Sequence, residues 1–229
     1  MNKKGFGHIE MILAFIIFVA AVVFALTFFN PGNNDRAGKS LVEYAFNELS
    51  ENASTNINSY SLIVYPSSLQ EVIAINLSIP ENFGVSVQDA QGNIFNSSKS
   101  DFLYIEPTDE RIFTTVVGED VSQINSQDIS SVPFNAESYK IASSSSEKVF
   151  SEKRILLLRE AYLSDYNSLK ESFNLGRANL GFSIIFSDNT KIEASKDELA
   201  GSVLAEKRQI KILRLNNKIE SAELIIKIW

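Results

Sequence analysis

Residues 3–29 read KKGFGHIEMILAFIIFVAAVVFALTFF: two lysines, a glycine, one acidic residue, then an apolar run from Met11 to Phe29 broken only by Thr27. At about 1.5 Å of rise per residue, a run of about 19 residues approaches the ~30 Å thickness of a bilayer's hydrocarbon core. The stretch therefore predicts a membrane-spanning helix, and that prediction places everything after it. Lys3 and Lys4 on the N-terminal flank predict a cytoplasmic N-terminus with the remaining chain outside. Glu10 at the mouth of the helix is the anomaly. A carboxylate costs roughly 2.5 to 3.5 kcal/mol at mid-membrane and less near the interface, so its presence calls for a partner. Pro31 ends the helix and pushes Asn30 towards extended backbone, with Gly32, Asn33 and Asn34 as a flexible exit.

The joint placement of Lys3, Lys4, Gly5, Phe6 and Glu10 against the apolar run resembles the leader of type IV pilin-like proteins, the class III signal peptides. The resemblance covers about the first 30 residues. It implies that a prepilin peptidase cuts between Gly5 and Phe6, and that the apolar helix stays attached as the assembly segment. It also implies that Glu10, fifth in the mature chain, pairs with the free amine of Phe6 in a neighbouring subunit, since an opposite charge offsets the cost of burying a carboxylate in a helical bundle. The implied partners are the prepilin peptidase, other pilin-like subunits and a membrane assembly platform.

This chain departs from the pattern at Gly7 and His8, where the family favours a small hydroxyl and an apolar residue. His8 is the sole histidine, with an ordinary pKa near 6.5 and Glu10 as a candidate hydrogen-bond partner. The chain has no cysteine, which rules out the disulfide loops of many bacterial members and favours the archaeal type. Two other readings of the segment stay open. One is a secretory signal cut near Val23-Phe24-Ala25, although the apolar run exceeds the usual 7 to 15 residues. The other is an uncleaved single-span anchor.

The chain has 229 residues and a net charge of -7. Removing leader and span leaves roughly 200 residues, enough for one sizeable domain or two small ones. The acidic balance argues against nucleic acid as a partner. The organisation expected is a leader at 1–5, a transmembrane and assembly helix at 6–30, a linker helix at 31–55, a β-sandwich-like region at 56–142, and a helix with hairpins at 143–229 that either stands alone or joins the preceding region. The linker helix rests on Leu41, Ala45 and Leu49, with Val42 and Phe46 beside them. Short β-type runs follow between Ser61 and Val117, punctuated by Pro66, Pro80, Gln91-Gly92-Asn93, Pro107 and Gly118. Gly118 to Phe134 reads as a loop or edge and Ser143 to Ser146 as a low-complexity join. Ser144 and Glu147 have capping-box spacing, and Ile155, Leu158, Tyr162, Tyr166, Leu169 and Phe173 predict one helix from Glu147 to Phe173, ended by Gly176. Two hairpins turn at Asp188-Asn189 and Asn216-Asn217. Trp229 and the stripe tyrosines read as packing residues. The expected fold class is thus α+β: an N-terminal transmembrane helix, then an extracytoplasmic, mainly antiparallel β domain with one long amphipathic helix.

Little in the sequence points to catalysis. There is no cysteine nucleophile, glycine-rich phosphate loop or metalloprotease helix. Asp109-Glu110 and Glu119-Asp120 are acidic pairs without calcium-loop spacing. Three N-glycosylation acceptors occur, at Asn52, Asn76 and Asn96, with Asn76 inside a predicted strand where an inward side chain would bar modification. The reading is a filament subunit displayed at the cell surface, neither an enzyme nor a cofactor or metal protein. A single-pass anchored binding domain that does not polymerise is the alternative, and an anchored hydrolase is the weakest reading.

Overall fold

The computed structural model describes residues 6–28, 32–65, 72–106, 112–122, 129, 132–195 and 203–229. Two helices open it, α1 (Phe6–Phe28) and α2 (Gly32–Ala53). In α2 the buried residues Val42, Ala45, Leu49 and Ala53 recur at steps of three and four, which gives one apolar stripe. The backbone then passes without a loop into the long strand β1 (Ser54–Val64).

Eight strands form the main sheet: β1, β3 (Gly84–Gln88), β6 (Ile112–Gly118), β7 (Tyr139–Ser151), β8 (Leu180–Ile185), β9 (Lys191–Ala194), β10 (Leu204–Leu213) and β11 (Ile219–Ile228). Their order is β3-β6-β1-β7-β10-β11-β8-β9. A second sheet has the order β2-β5-β4, from β2 (Ile73–Ile75), β4 (Ser97–Lys99) and β5 (Leu103–Ile105). Neighbouring strands run antiparallel except β7 and β10, which join the halves of the main sheet in parallel through Phe150 opposite Ile212 and Ser151 opposite Leu213.

Strand alternation sorts the core. Phe150, Ile210, Ile212, Leu224, Ile226, Phe182 and Ile184 share one face with the buried stripes of α2 and the later helices. On that face, register carries the same side onto Leu62, Phe113, Val117, Val85 and Val87, which pack with Ile73, Ile75, Leu103 and Ile105 of the smaller sheet. Helices thus cover one half and the small sheet the other. On the opposite face a third cluster of Ile57, Val116, Val121, Val149 and Leu213 forms, with Ile219 packed against it. The main sheet curls around it until the β10–β11 turn meets the β3 side: the Gln88 side-chain amide donates to the carbonyl of Asn217 at 2.8 Å.

The stretch Ser143–Ser146 is no join. It lies mid-strand in β7, with Ser143 opposite Ser61, Ser144 opposite Tyr60, Ser145 opposite Ser59 and Ser146 opposite Asn58. Serine carries little strand signal of its own, so the strand is set by backbone pairing with β1. The predicted helix from Glu147 to Phe173 is likewise corrected. Its first residues belong to β7, and two helices follow, α3 (Glu152–Ser164) and α4 (Tyr166–Ser172). The Ser151 hydroxyl caps α3 by accepting from the Arg154 N–H at 3.4 Å. Asp165 divides the helices. Its N–H closes α3 on the carbonyl of Ala161 at 2.9 Å, and its carboxylate accepts from the Ser168 N–H at 3.1 Å to open α4. Ile155, Tyr162, Leu169 and Phe173 stay buried on one stripe across the break. Left-handed backbone appears at Asn174 (φ 50) before it does at Gly176 (φ 60), so the asparagine begins the turn after α4.

Both predicted hairpins are present, β8–β9 and β10–β11, with Asn189 (φ 62) and Asn217 (φ 64) supplying the left-handed turn positions. Trp229 is half-buried over Gly181, where a Cβ would sit 3.2 Å from its ring.

The expected fold class is overturned: the chain is dominated by a curled eight-stranded sheet with a three-stranded sheet and four α-helices, not by a transmembrane helix carrying a small β domain. Among the described residues no helix is long and apolar enough to cross a membrane. This corrects the single-pass placement with a cytoplasmic N-terminus and an extracytoplasmic domain. Asn30, Pro31, Pro66 and Pro107 lie outside the described residues, and the expected flexible exit at Gly32, Asn33 and Asn34 is the first turn of α2.

Candidate assembly helix

α1 is apolar on every side because its sequence has no helical polar face between Met11 and Phe24. Such a helix needs apolar neighbours all round, yet Met11, Phe15, Ile16, Phe18 and Phe24 are 57–73% exposed. Among the described residues, none of the three buried clusters contains a residue of α1. Eleven large apolar side chains stand exposed along this helix, counted from Met11 to Phe24, a continuous patch beyond the few hundred Å² that monomers usually show. Glu10 is exposed, and Phe6 four residues before it is the first residue of α1, so the two share one side of the helix. Lys3, Lys4 and Gly5, and the side chains of Phe6 and His8, lie outside the described residues.

Elsewhere among the described residues several charged side chains are held in structural networks. Arg154 donates to Asp120 at 2.5 Å and to Glu119 at 2.9 Å, with Lys153 4.0 Å from Asp120. The acidic pair Glu119-Asp120 therefore fastens the turn after β6 to the start of α3. Asp109-Glu110 lies outside the described residues. Among the described residues no three His, Cys, Asp or Glu side chains come together as metal ligands. Arg214 joins Glu152 at 2.9 Å and Glu220 at 2.5 Å while its guanidinium lies 3.8 Å from the Phe186 ring centre. Arg208 spans Glu43 and Glu206 above Phe46. Sequence reading missed both arginine networks, because apart from Glu206, two residues before Arg208 on β10, their partners lie on other strands and helices. The only signal was an arginine in the middle of β10 and another directly after its last residue.

Tyr162 is fully buried and Tyr166 half-buried. The Tyr166 hydroxyl accepts from the Leu180 N–H at 2.9 Å at the start of β8, and burial pushes its pKa up. Both tyrosines pack with the first cluster. A hollow of about 430 Å³ beside α4 is lined by Asn167, Lys170, Glu171, Asn174 and Gly176. Its lysine is already held by the Asn179 side chain at 3.2 Å.

The three glycosylation acceptors fall in different settings. Asn52 sits in the last turn of α2, where its side-chain N–H donates to the carbonyl of Glu48 at 2.8 Å. Asn76 is exposed one residue beyond β2, correcting the expectation of an in-strand position. Asn96 is exposed immediately before β4.

No family model, curated protein or solved structure matches the chain.

Proposed function

We propose that this chain is a pilin-like filament subunit, cut between Gly5 and Phe6 by a prepilin peptidase and assembled through α1. The observation that carries the reading is the exposed apolar sheath of α1 beside Glu10. Burying that sheath against copies of itself removes several hundred Å² of apolar surface from water, at about 25 cal/mol per Å². In a helical bundle the Glu10 carboxylate needs a cation, and cleavage after Gly5 creates one, the free amine of Phe6 on a neighbouring subunit. The body supports the role by independence: among the described residues its buried clusters draw on no residue of α1.

The test is the N-terminal sequence and intact mass of the protein isolated from its native host, followed by electron microscopy for filaments. A start at Phe6 with filaments that Glu10→Ala weakens is the expected result. A start at Met1, or filaments unaffected by Glu10→Ala, overturns it.

A further inference from the structure

An enzyme that joins sugar to an Asn-x-Ser acceptor must grip the asparagine amide and the serine hydroxyl two residues on at once, so both groups must be accessible together. The structure separates the three acceptors on this criterion. In Asn52-Ala53-Ser54, Ala53 is 0% and Ser54 5% exposed, and the asparagine amide is spent on Glu48 within the helix. In Asn96-Ser97-Ser98, Ser97 is buried and both serines are paired to β5, opposite Ile105 and Tyr104. Presenting either acceptor means unravelling a helix end or pulling a strand from its sheet.

Asn76-Leu77-Ser78 is different. Asn76 and Ser78 are exposed, Leu77 between them is half-buried against the second cluster, and the segment belongs to no strand or helix. It is nonetheless shaped. The Asn76 side-chain oxygen accepts from the Ser78 N–H at 3.2 Å, an Asx turn that folds the acceptor amide towards the serine. Ser78 takes left-handed backbone at φ 50. The Tyr139 hydroxyl braces the turn, accepting from the Asn76 N–H at 3.2 Å and donating to its carbonyl at 3.4 Å. Among the described residues the Asn76 side-chain nitrogen has no hydrogen-bond partner, so its amide is both accessible and uncommitted.

We infer that Asn76 is the N-glycosylation site of this chain and that Asn52 and Asn96 stay bare. The donor is a glycosyl phosphate. The Asn76 Nδ2 to sugar C1 bond forms as the C1–O bond to the phosphate breaks; the phosphate leaves with the bonding pair and Nδ2 gives up one proton to a base of the transferase. The inference stands on the acceptor's geometry and is independent of filament assembly.

The experiment is peptide mapping by mass spectrometry on the full chain isolated from its native host, beside a Ser78→Ala variant expressed in that host. The expected result is a glycan mass on the peptide containing Asn76, none on those containing Asn52 or Asn96, and complete loss of the mass in Ser78→Ala with the melting temperature unchanged. Alanine keeps the main-chain N–H that holds the Asx turn, so the variant removes the hydroxyl alone. A glycan on Asn52 or Asn96 with Asn76 bare, retention of the mass in Ser78→Ala, or no glycan on any acceptor overturns the inference.

Discussion

Asn217 holds Ser122 by both atoms of its side-chain amide: Oδ1 accepts from the Ser122 N–H at 2.7 Å and Nδ2 donates to the Ser122 carbonyl at 2.8 Å. The amide thus imitates a strand neighbour between the β10–β11 turn and the segment after β6, although 95 residues separate the two. Asn217 is fully buried and its φ is 64. One residue closes the curl of the sheet and makes the hairpin turn.

Asn217→Ala is expected to destabilise the fold by about 2–3 kcal/mol, since it leaves the Ser122 backbone groups unpaired and puts a Cβ-bearing residue without a compensating side-chain bond at a left-handed position. Asn217→Gly relieves the backbone term only and should fall between that variant and the parent. Urea unfolding midpoints give the order; equal midpoints for all three proteins would refute it.

Gly84→Ala attacks the same closure from the other side. A Cβ at Gly84 would lie 1.7 Å from the carbonyl oxygen of Val121, a backbone atom that cannot move aside as a flexible side chain can. The expected loss is about 2–4 kcal/mol, with the third cluster around Val121 opened. Denaturant unfolding measures the first, and faster amide exchange at Val121 and Ser122 than in the parent reports the second.

Two of the aspartates illustrate the dependence on acid. The Asp165 carboxyl is held below its ordinary 3.8 by the Ser168 hydroxyl and then the Ser168 N–H, and Asp188 by the Thr190 hydroxyl and N–H. In the folded chain each binds its proton less readily than when unfolded. Their stabilisation is therefore fully present above the unfolded value near pH 4 and is lost as pH falls through the folded values. Melting temperature should drop across that acid window, and less in Asp165→Asn, which removes one of these titrations. A variant with the parent's acid slope would show that Asp165 contributes nothing to it.

Charge on α1 should separate assembly from folding. Ile16→Glu and Phe18→Glu place carboxylates on exposed positions outside every buried cluster. They should change unfolding free energy by no more than about 0.5 kcal/mol while suppressing self-association, read by light scattering and electron microscopy. A large loss of stability would mean that α1 belongs to the body's core.

The apolar stripe of α2, the buried positions Tyr162, Leu169 and Phe173, and both hairpin turns were legible because each depends on residues near in sequence: helical spacing in the first two, asparagine's tolerance of left-handed backbone in the last. The acceptor triplets were legible as motifs, but their accessibility was not. Nothing local says that Ser54 is buried beneath a helix–strand junction while Ser78 is open. The serine run at 143–146 misled for the same reason. A small polar residue accepts strand, loop or cap, and the partner strand β1, more than 80 residues earlier, makes the choice. Asp165 hid inside an unbroken apolar period, since the stripe repeats across a break in the backbone that only its capping bonds disclose.

By itself the sequence determined the apolar sheath of α1, the position of Glu10 four residues from Phe6, and the stripes and turns, all consequences of periodicity and local backbone preference. Tertiary structure alone decided that β7 carries one sheet across residues 143–146, that two residue pairs join its halves in parallel, and that an asparagine amide closes its curl. Those are pairings between distant segments. Their free energy comes from backbone hydrogen bonds and shared burial, which no short window of sequence contains.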